Sequence, residues 1–183
     1  MTYRPKPLPL DSHTALRLLE VDDAAALAES YVRNREHLRP WEPERNEEFF
    51  TQRWQAENLA QVLAAHEHGL TYSYGLFRDK QLIGRFNIAS IVRGAFQSGS
   101  LGYWVDHQFT GQALASRSVA ALRIEAAENF GLHRLEASTL VDNYASQKVL
   151  LKNGFSQFGM APNYLKIAGS WQDHNLYQTI LHD

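Results

Sequence analysis

Cysteine is missing from this 183-residue chain. Disulfides, thiolate metal sites and a cysteine nucleophile are excluded with it, and the lack of disulfides fits a reducing compartment. No apolar run approaches the length of a membrane span. The start, Met1-Thr2-Tyr3-Arg4-Pro5-Lys6-Pro7-Leu8-Pro9, lacks the apolar stretch of a secretory signal, and its alternating prolines read as an extended lead-in over residues 1–13. Neither charge dominates: 18 basic against 20 acidic side chains leave a net charge of -2, without the basic excess of a nucleic-acid-binding domain. Repeats, low-complexity tracts and Gly/Ser linkers are absent. So are G-x-G, G-K-[ST], H-E-x-x-H and G-x-S-x-G, the short signatures of dinucleotide, nucleotide, zinc-hydrolase and serine-hydrolase sites. His66-Glu67-His68 places its two histidines on different sides of a helix, which reads as solvated surface rather than a metal site. The expectation is a soluble cytoplasmic protein of one domain, residues 1–183, monomeric or homodimeric, with no metal and neither nucleic acid nor membrane as partner.

What the chain does have is a regular alternation of periods. A strand is expected at Ala15–Leu19, then a helix capped by Asp22 or Asp23 with Ala24, Leu27, Ala28 and Tyr31 on one face. His37 to Pro43 reads as a loop because of its two prolines. A second helical region runs from about Phe49 to His68 and stops at Gly69. Strands follow at Tyr72–Arg78, Leu82–Val92 and Ser100–Val105. Ala115, Val119, Leu122, Ala126 and Phe130 then form a helix stripe ending at Gly131. Arg134–Leu140 reads as a strand, Asn143–Asn153 as a helix, and Phe155–Ile167 and Trp171–Leu181 as two final strands. This order predicts a mixed α/β layer fold in which only the unit over 100–140 demands a parallel crossover.

The segment from Gly102 to Ser116 is the most informative. A strand ends there, a short turn follows, and a helix begins among small residues, Gly111, Ala113 and Ala115. A helix start offers unpaired N–H groups and the positive end of the dipole to an anion, and small side chains let a pyrophosphate approach. The same residues would also serve a tight turn and simple packing.

Gln108-x-x-Gly111-x-Ala113 resembles the Q/R-x-x-G-x-G/A motif of the GNAT superfamily of acetyl-CoA-dependent acetyltransferases. Asn34-Arg35-x-His37-Leu38-x-Pro40-Trp41, Leu101-Gly102-Tyr103-Trp104-Val105, Asp142-Asn143-x-x-Ser146, Lys152-Asn153-Gly154-Phe155 and Trp171-Gln172-Asp173-His174-x-x-Tyr177 are similar, in order, to its ribosomal-protein alanine N-acetyltransferase branch. The resemblance spans nearly everything from Ala15 to Leu181. It implies a largely antiparallel sheet with a splayed central strand pair, flanked by helices, and acetyl-CoA as co-substrate. It also implies transfer to a primary amine, foremost a protein or peptide N-terminal α-amine. A small amine (amino acid, polyamine or antibiotic) is the alternative acceptor, and a CoA-binding protein without catalysis the alternative class.

The resemblance also assigns roles. The pantetheine arm would lie between the strand ending at Trp104-Val105 and the strand Arg134–Leu140, with an N–H near Trp104 or Val105 polarising the thioester. The pyrophosphate would sit on the amides of Gly111 to Ala115, within a cofactor-binding stretch of Gln108, Thr110, Gly111, Gln112, Ala113, Leu114, Ala115 and Ser116, with Lys152 or Arg117 adding positive charge. Gln112 stands where relatives often carry arginine. Asn143 would hold the arm and Ser146 would protonate the leaving thiolate; both residues also suit the cap and first turn of their helix. For the base, Ser100 and Asn163 occupy places that are acidic in many relatives, leaving Glu136, Glu42, the Asp173-His174 pair or a water chain, with binding to a neighbouring backbone group or arginine as the alternative role of Glu136. Trp41, Glu42, Tyr72 and Tyr164, with Phe50 and Trp54, are the candidate acceptor-binding residues, and Glu42 or Glu47 would suit a cationic amine. Without cysteine or a serine triad, direct transfer is expected rather than an acyl-enzyme.

Overall fold

The structure, a computed structural model, describes residues 4–182. One sheet organises it: β1 (Leu8–Pro9), β2 (Thr14–Leu18), β3 (Tyr72–Arg78), β4 (Gln81–Val92), β5 (Ser98–Val105), β6 (Arg134–Leu140), β7 (Ser156–Ile167) and β8 (Ser170–Ile180). Their order across the sheet is β1-β2-β3-β4-β5-β6-β8-β7. Every neighbouring pair is antiparallel except β5 and β6. That pair is joined by the crossover helix α4 and forms the single parallel contact that the sequence demands. The expected lead-in is partly structure: β1 pairs with β2, with Leu8 opposite Leu16, and Leu8 and Leu10 pack on the core. Residues 1–3 of that lead-in lie outside the described residues.

Helices cover both faces. Residues α4 (Leu114–Glu128) and α5 (Tyr144–Lys152) bring Leu114, Val119, Leu122, Ala126 and Leu150 onto Tyr74, Leu76, Phe86, Ile88 and Leu101. On the other face lie α1 (Ala24–Arg33), a one-turn α2 (Arg35–Leu38) and α3 (Gln52–Glu67). Their Leu27, Tyr31, Leu38 and Leu59 meet Phe77, Leu82 and Trp104. The single helix expected from Phe49 to His68 is two pieces. A 3-10 turn at Glu47–Phe50 ends at Thr51, whose hydroxyl caps α3 by accepting the Trp54 N–H at 3.2 Å; a hydroxyl competing for backbone donors favours such a cap over a helix interior. The loop expected over His37–Pro43 starts later: His37 and Leu38 close α2, and the stretch without helix or strand runs from Arg39 to Asn46. His66 is not a solvated surface residue: it is buried edge-on against Tyr72, with ring centroids 4.9 Å apart, and burial lowers its pKa.

The centre of the sheet does not stay closed. β5 and β6 pair at only three positions: Ser98 with Arg134, Gly99 with Leu135 and Ser100 with Glu136. Beyond Ser100, β5 stays with β4 as far as Val105 opposite Gly84, while β6 stays with β8 as far as Leu140 opposite His174. The far end of β5 is then fixed by Asp106. Its N–H donates to the Ile83 carbonyl at 2.8 Å, and its fully buried carboxylate accepts Arg33 Nε at 2.7 Å and the Gln108 N–H at 2.9 Å. Burial pushes the Asp106 pKa up, but the donors gathered on it, with the Arg33 charge, outweigh this and hold it below the ordinary value.

Asp106→Asn should therefore destabilise the fold by about 2 kcal/mol at neutral pH, less than the 3–5 kcal/mol of a fully buried broken pair because Arg33 keeps some solvent contact. A depressed folded pKa stabilises above the unfolded value and is lost as pH falls through the folded one. Melting curves of wild type and variant should differ fully above about pH 5, begin to close below the ordinary carboxylate value of about 3.9, and converge only once pH has fallen through the lower folded pKa. A gap that persisted into strong acid would contradict the role of the ionised carboxylate.

Candidate active site

Where the central strands part, the sheet has a window, and a cavity opens on each side of it. On the α4–α5 face a groove of about 570 Å³ runs past Tyr103, Trp104 and Val105 to Phe109, Thr110, Gly111, Ala113, Leu114, Ala115 and Ser116, with Asn143, Ser146, Lys148 and Lys152 along its other wall. On the α1–α3 face a cavity of about 440 Å³ is lined by Trp41, Glu42, Arg45, Trp54, Asn58, Arg85, Asn87, Gly102 and His174 among others. Both volumes suit bound small molecules or peptide ends. Leu38, Trp41, Tyr103, Trp104, Asn143 and Ser146 line both, so the two spaces meet at the window.

The groove is built for an anion at one end. Gly111 has φ +77°, and a side chain there would find nothing within 4 Å. Ala113 is also left-handed, φ 57°, and serves as the N-cap of α4 without a side-chain hydrogen bond. Alanine in that conformation costs about 1–2 kcal/mol, and the first residues of α4 that follow it, Leu114 to Ser116, line the groove. Their amides have no intrahelical partner. Lys148 and Lys152, one turn apart on α5, supply positive charge opposite. Asn153 ties the two walls: its Nδ2 donates to Ser116 Oγ at 3.1 Å.

At the window, Asn143 caps α5 by accepting the Ser146 N–H at 3.1 Å. The capping role foreseen for the pair is therefore real, and Ser146 keeps its hydroxyl for another task. Ser146 Oγ lies 3.0 Å from the Tyr103 hydroxyl. Burial pushes the Tyr103 pKa up to about 12, against the hydrogen bond to Ser146, so the phenol stays protonated and available as a donor. Tyr144, the tyrosine after the cap, is largely exposed and lines neither cavity.

Eleven expected cofactor residues line the groove: Trp104, Val105, Thr110, Gly111, Ala113, Leu114, Ala115, Ser116, Asn143, Ser146 and Lys152. Gln108 and Gln112 do not. Gln108 is exposed and gives only its N–H to Asp106, while Gln112 accepts Arg78 Nη1 at 2.9 Å. Arg117 is taken up by Asp11 at 3.0 Å. Trp41, Glu42 and Trp54 line the cavity on the α1–α3 face, and Phe50 lines an adjoining hollow that also contains Glu42.

Several expectations are corrected. Tyr72 is a core residue, stacked on Phe130 with centroids 3.5 Å apart, because every position of β3 up to Phe77 is buried. Tyr164 packs outside the cavity against His174, and its neighbour Leu165 lines it instead. Glu136 sits in the still-paired part of β6, bound to Arg134 at 2.7 Å, and reaches neither cavity. Glu47 is an exposed partner of Arg35. Asp173 accepts the N–H of Asn163, itself left-handed at φ 49°, at 2.8 Å in a bulge of β7.

Glu42 is the carboxylate that remains. It lines the cavity, its side chain is mostly buried, and its backbone carbonyl accepts the Ala168 N–H at 3.0 Å from the β7–β8 turn. Burial raises its pKa, opposed by Arg45 at 3.9 Å and by the charge of Arg85. Tyr103, Arg85, Asn87 and Lys148 escaped the sequence reading. Arg85 had a signal: an arginine in mid-strand, flanked on β4 by Leu82, Ile83, Phe86 and Ile88.

A split sheet with an uncapped helix start on one side of the window and a carboxylate-bearing cavity on the other fits a two-substrate group transferase with an anionic donor. Known proteins agree. Residues 13–156 match the acetyltransferase (GNAT) domain family model. The [ribosomal protein uS5]-alanine N-acetyltransferase of Escherichia coli K12 is 35% identical over 88% of this chain and 84% of its own. The crystal structure of ribosomal-protein-S5-alanine acetyltransferase from Vibrio fischeri matches with a TM-score of 0.93 at 34% identity, covering 98% of both chains. Mycobacterium smegmatis RimJ in complex with CoA-disulfide matches at 0.89 with 28% identity, covering 96% of this chain and 86% of that one. The chain belongs to the GNAT acetyltransferase family, and within it is an N-acetyltransferase.

Acetyl-CoA at 100 times its dissociation constant should raise the melting temperature by roughly 5–10 °C. Gly111→Glu, adding bulk and negative charge to the anion end, should abolish that shift. Gly111→Ala carries the same backbone strain without the charge and should keep most of it. An undiminished shift in folded Gly111→Glu would remove the groove as the cofactor site.

Proposed function

We propose that this protein transfers the acetyl group of acetyl-CoA directly to the α-amine of a protein N-terminus in the cytoplasm. The observation that carries the reading is the window itself: two cavities on opposite faces of the sheet share Trp104, Tyr103, Asn143 and Ser146. The similarity to enzymes named for ribosomal-protein alanine supports an N-terminal acceptor over a small amine. The lack of cysteine and the two cavities that meet at one opening support direct transfer.

In this reading the phosphates rest on the first amides of α4, with Lys148 and Lys152 across the groove. The edge of β5 beyond Ser100 has lost its β6 partner, and its free backbone groups pair with the pantetheine arm. An N–H of that edge, near Trp104 or Val105, polarises the thioester carbonyl and holds the charge that develops on its oxygen. The acceptor enters from the α1–α3 face past Trp41. Glu42, or a water it orients, removes the ammonium proton and frees the lone pair for attack. As the carbon–sulfur bond breaks, Ser146, hydrogen-bonded to the Tyr103 phenol, delivers its proton to sulfur and regains the second proton released by the attacking nitrogen, so CoA leaves as the thiol and the product is a neutral amide.

Incubation with acetyl-CoA and peptides starting with alanine should give products whose added acetyl maps, by fragment mass spectrometry, to the α-amine. The rate should fall on the acid side through a Glu42 pKa lying above the ordinary value of about 4.3, because the base acts ionised. Glu42→Gln should remove that limb and lower kcat/KM by about 10²–10⁴-fold. Acetylation of lysine side chains or polyamines alone, with N-termini untouched, would overturn the acceptor assignment. Wild-type rate and pH profile in Glu42→Gln would overturn the base.

A further inference from the structure

The acceptor-side cavity contains a buried cation that the transfer chemistry does not use. Arg85 is 8% exposed and lines the cavity. Its Nε donates to Ser73 Oγ at 3.1 Å and to Asn87 Oδ1 at 3.2 Å, and the Ser73 hydroxyl lies 2.6 Å from the same Asn87 oxygen. These neutral partners fix one edge of the guanidinium. Among the described residues its two Nη groups have no hydrogen-bond partner and no carboxylate lies within ion-pair distance; Glu42 acts on it only through space.

Burying an unpaired charge is costly, and a guanidinium held by one edge presents its remaining N–H groups as a fork that fits a carboxylate with two parallel bonds. The surroundings keep that fork reachable. Gly102 stands next to Asn87 in the β4–β5 ladder, and a side chain added there would meet nothing within 4 Å. Its lack of a side chain leaves the cavity floor open in front of the arginine.

We propose that Arg85 sets acceptor specificity by binding a side-chain carboxylate close to the acceptor's N-terminus; the proposal rests on the protein-acceptor reading above. The register fixes how close. Arg85 pairs with Trp104, so both side chains lie on the same face of adjacent strands about 4.8 Å apart. The reacting amine must lie at Trp104 and Ser146. An extended peptide advances about 3.3 Å per residue, which brings its second to fourth residues within reach of the arginine. Arg85 is a positioning residue here, holding the acceptor without touching the reacting atoms.

The test uses peptides starting with alanine that carry one glutamate at position two, three or four, each matched by its glutamine counterpart. At one of these positions wild type should prefer glutamate by about tenfold or more in kcat/KM, the size of one charge-assisted hydrogen-bonded pair. The preference should lie mainly in KM. In Arg85→Gln the ratio should fall to about one. The wild-type comparison stands even if that variant fails to fold, and melting curves report whether it does. A wild-type ratio near one at all three positions would overturn the proposal, as would a folded variant losing both peptides of each pair equally. If no peptide is acetylated while acetyl-CoA still stabilises the fold, the protein-acceptor reading fails and this proposal with it.

Discussion

The site depends on a competition between strands. Each member of the central pair is held more extensively by its outer antiparallel neighbour than by the other. β5 follows β4 to Val105, β6 follows β8 to Leu140, and only three pairs join β5 to β6. Twist rotates neighbouring strands against each other, so arms anchored on opposite sides separate once their shared pairs end. The Asp106 contacts with Ile83 and Arg33 hold β5 to its side beyond the last sheet residue. Because the window is a gap between backbones, it offers unpaired N–H and C=O groups without exposing an outer edge of the sheet.

That gap places chemistry on both faces at once. Side chains alternate along β5, so Tyr103 looks toward α4 and α5 while Trp104 packs with α1 and Tyr31. One strand therefore gives its phenol to the α4–α5 face and its indole to the α1–α3 face, with the backbone between them at the opening. The electrostatics divide the same way: helix amides and lysines along the α4–α5 groove, a glutamate with a raised pKa and an arginine held by Ser73 and Asn87 in the cavity on the other face. Burial of Glu42 and Tyr103 works in one direction for both, favouring the neutral form. For the glutamate this makes a stronger base; for the tyrosine it preserves a donor.

The donor half was far more legible in the sequence than the acceptor half. The phosphate end and its facing helix are two contiguous stretches, 109–116 and 143–152, whose strand-turn-helix and cap-helix patterns are local. The stripe from Ala115 to Phe130 and its stop at Gly131 show directly in the residues. The acceptor cavity draws on α1, the 41–45 loop, α3, β4 and the β7–β8 hairpin, which no short spacing connects. Aromatic composition cannot separate Trp41, at the cavity, from Tyr72, stacked in the core. Glu136 looked as suitable as Glu42 until pairing placed it below the opening. Strand order was hidden as well: β7 and β8 form a hairpin either way round, and only three-dimensional packing puts β8 beside β6.

The central claim is that donor and acceptor approach from opposite faces and meet in the β5–β6 window. A bisubstrate compound, CoA joined through an acetyl linker to the α-nitrogen of an alanine-led peptide, tests it most directly. Such a compound should compete with both substrates, bind tighter than CoA or peptide alone, and in a co-crystal thread the window with its linker between Trp104 and Ser146. Binding no tighter than CoA, or a peptide half lying on the same face as the CoA half, would contradict the account.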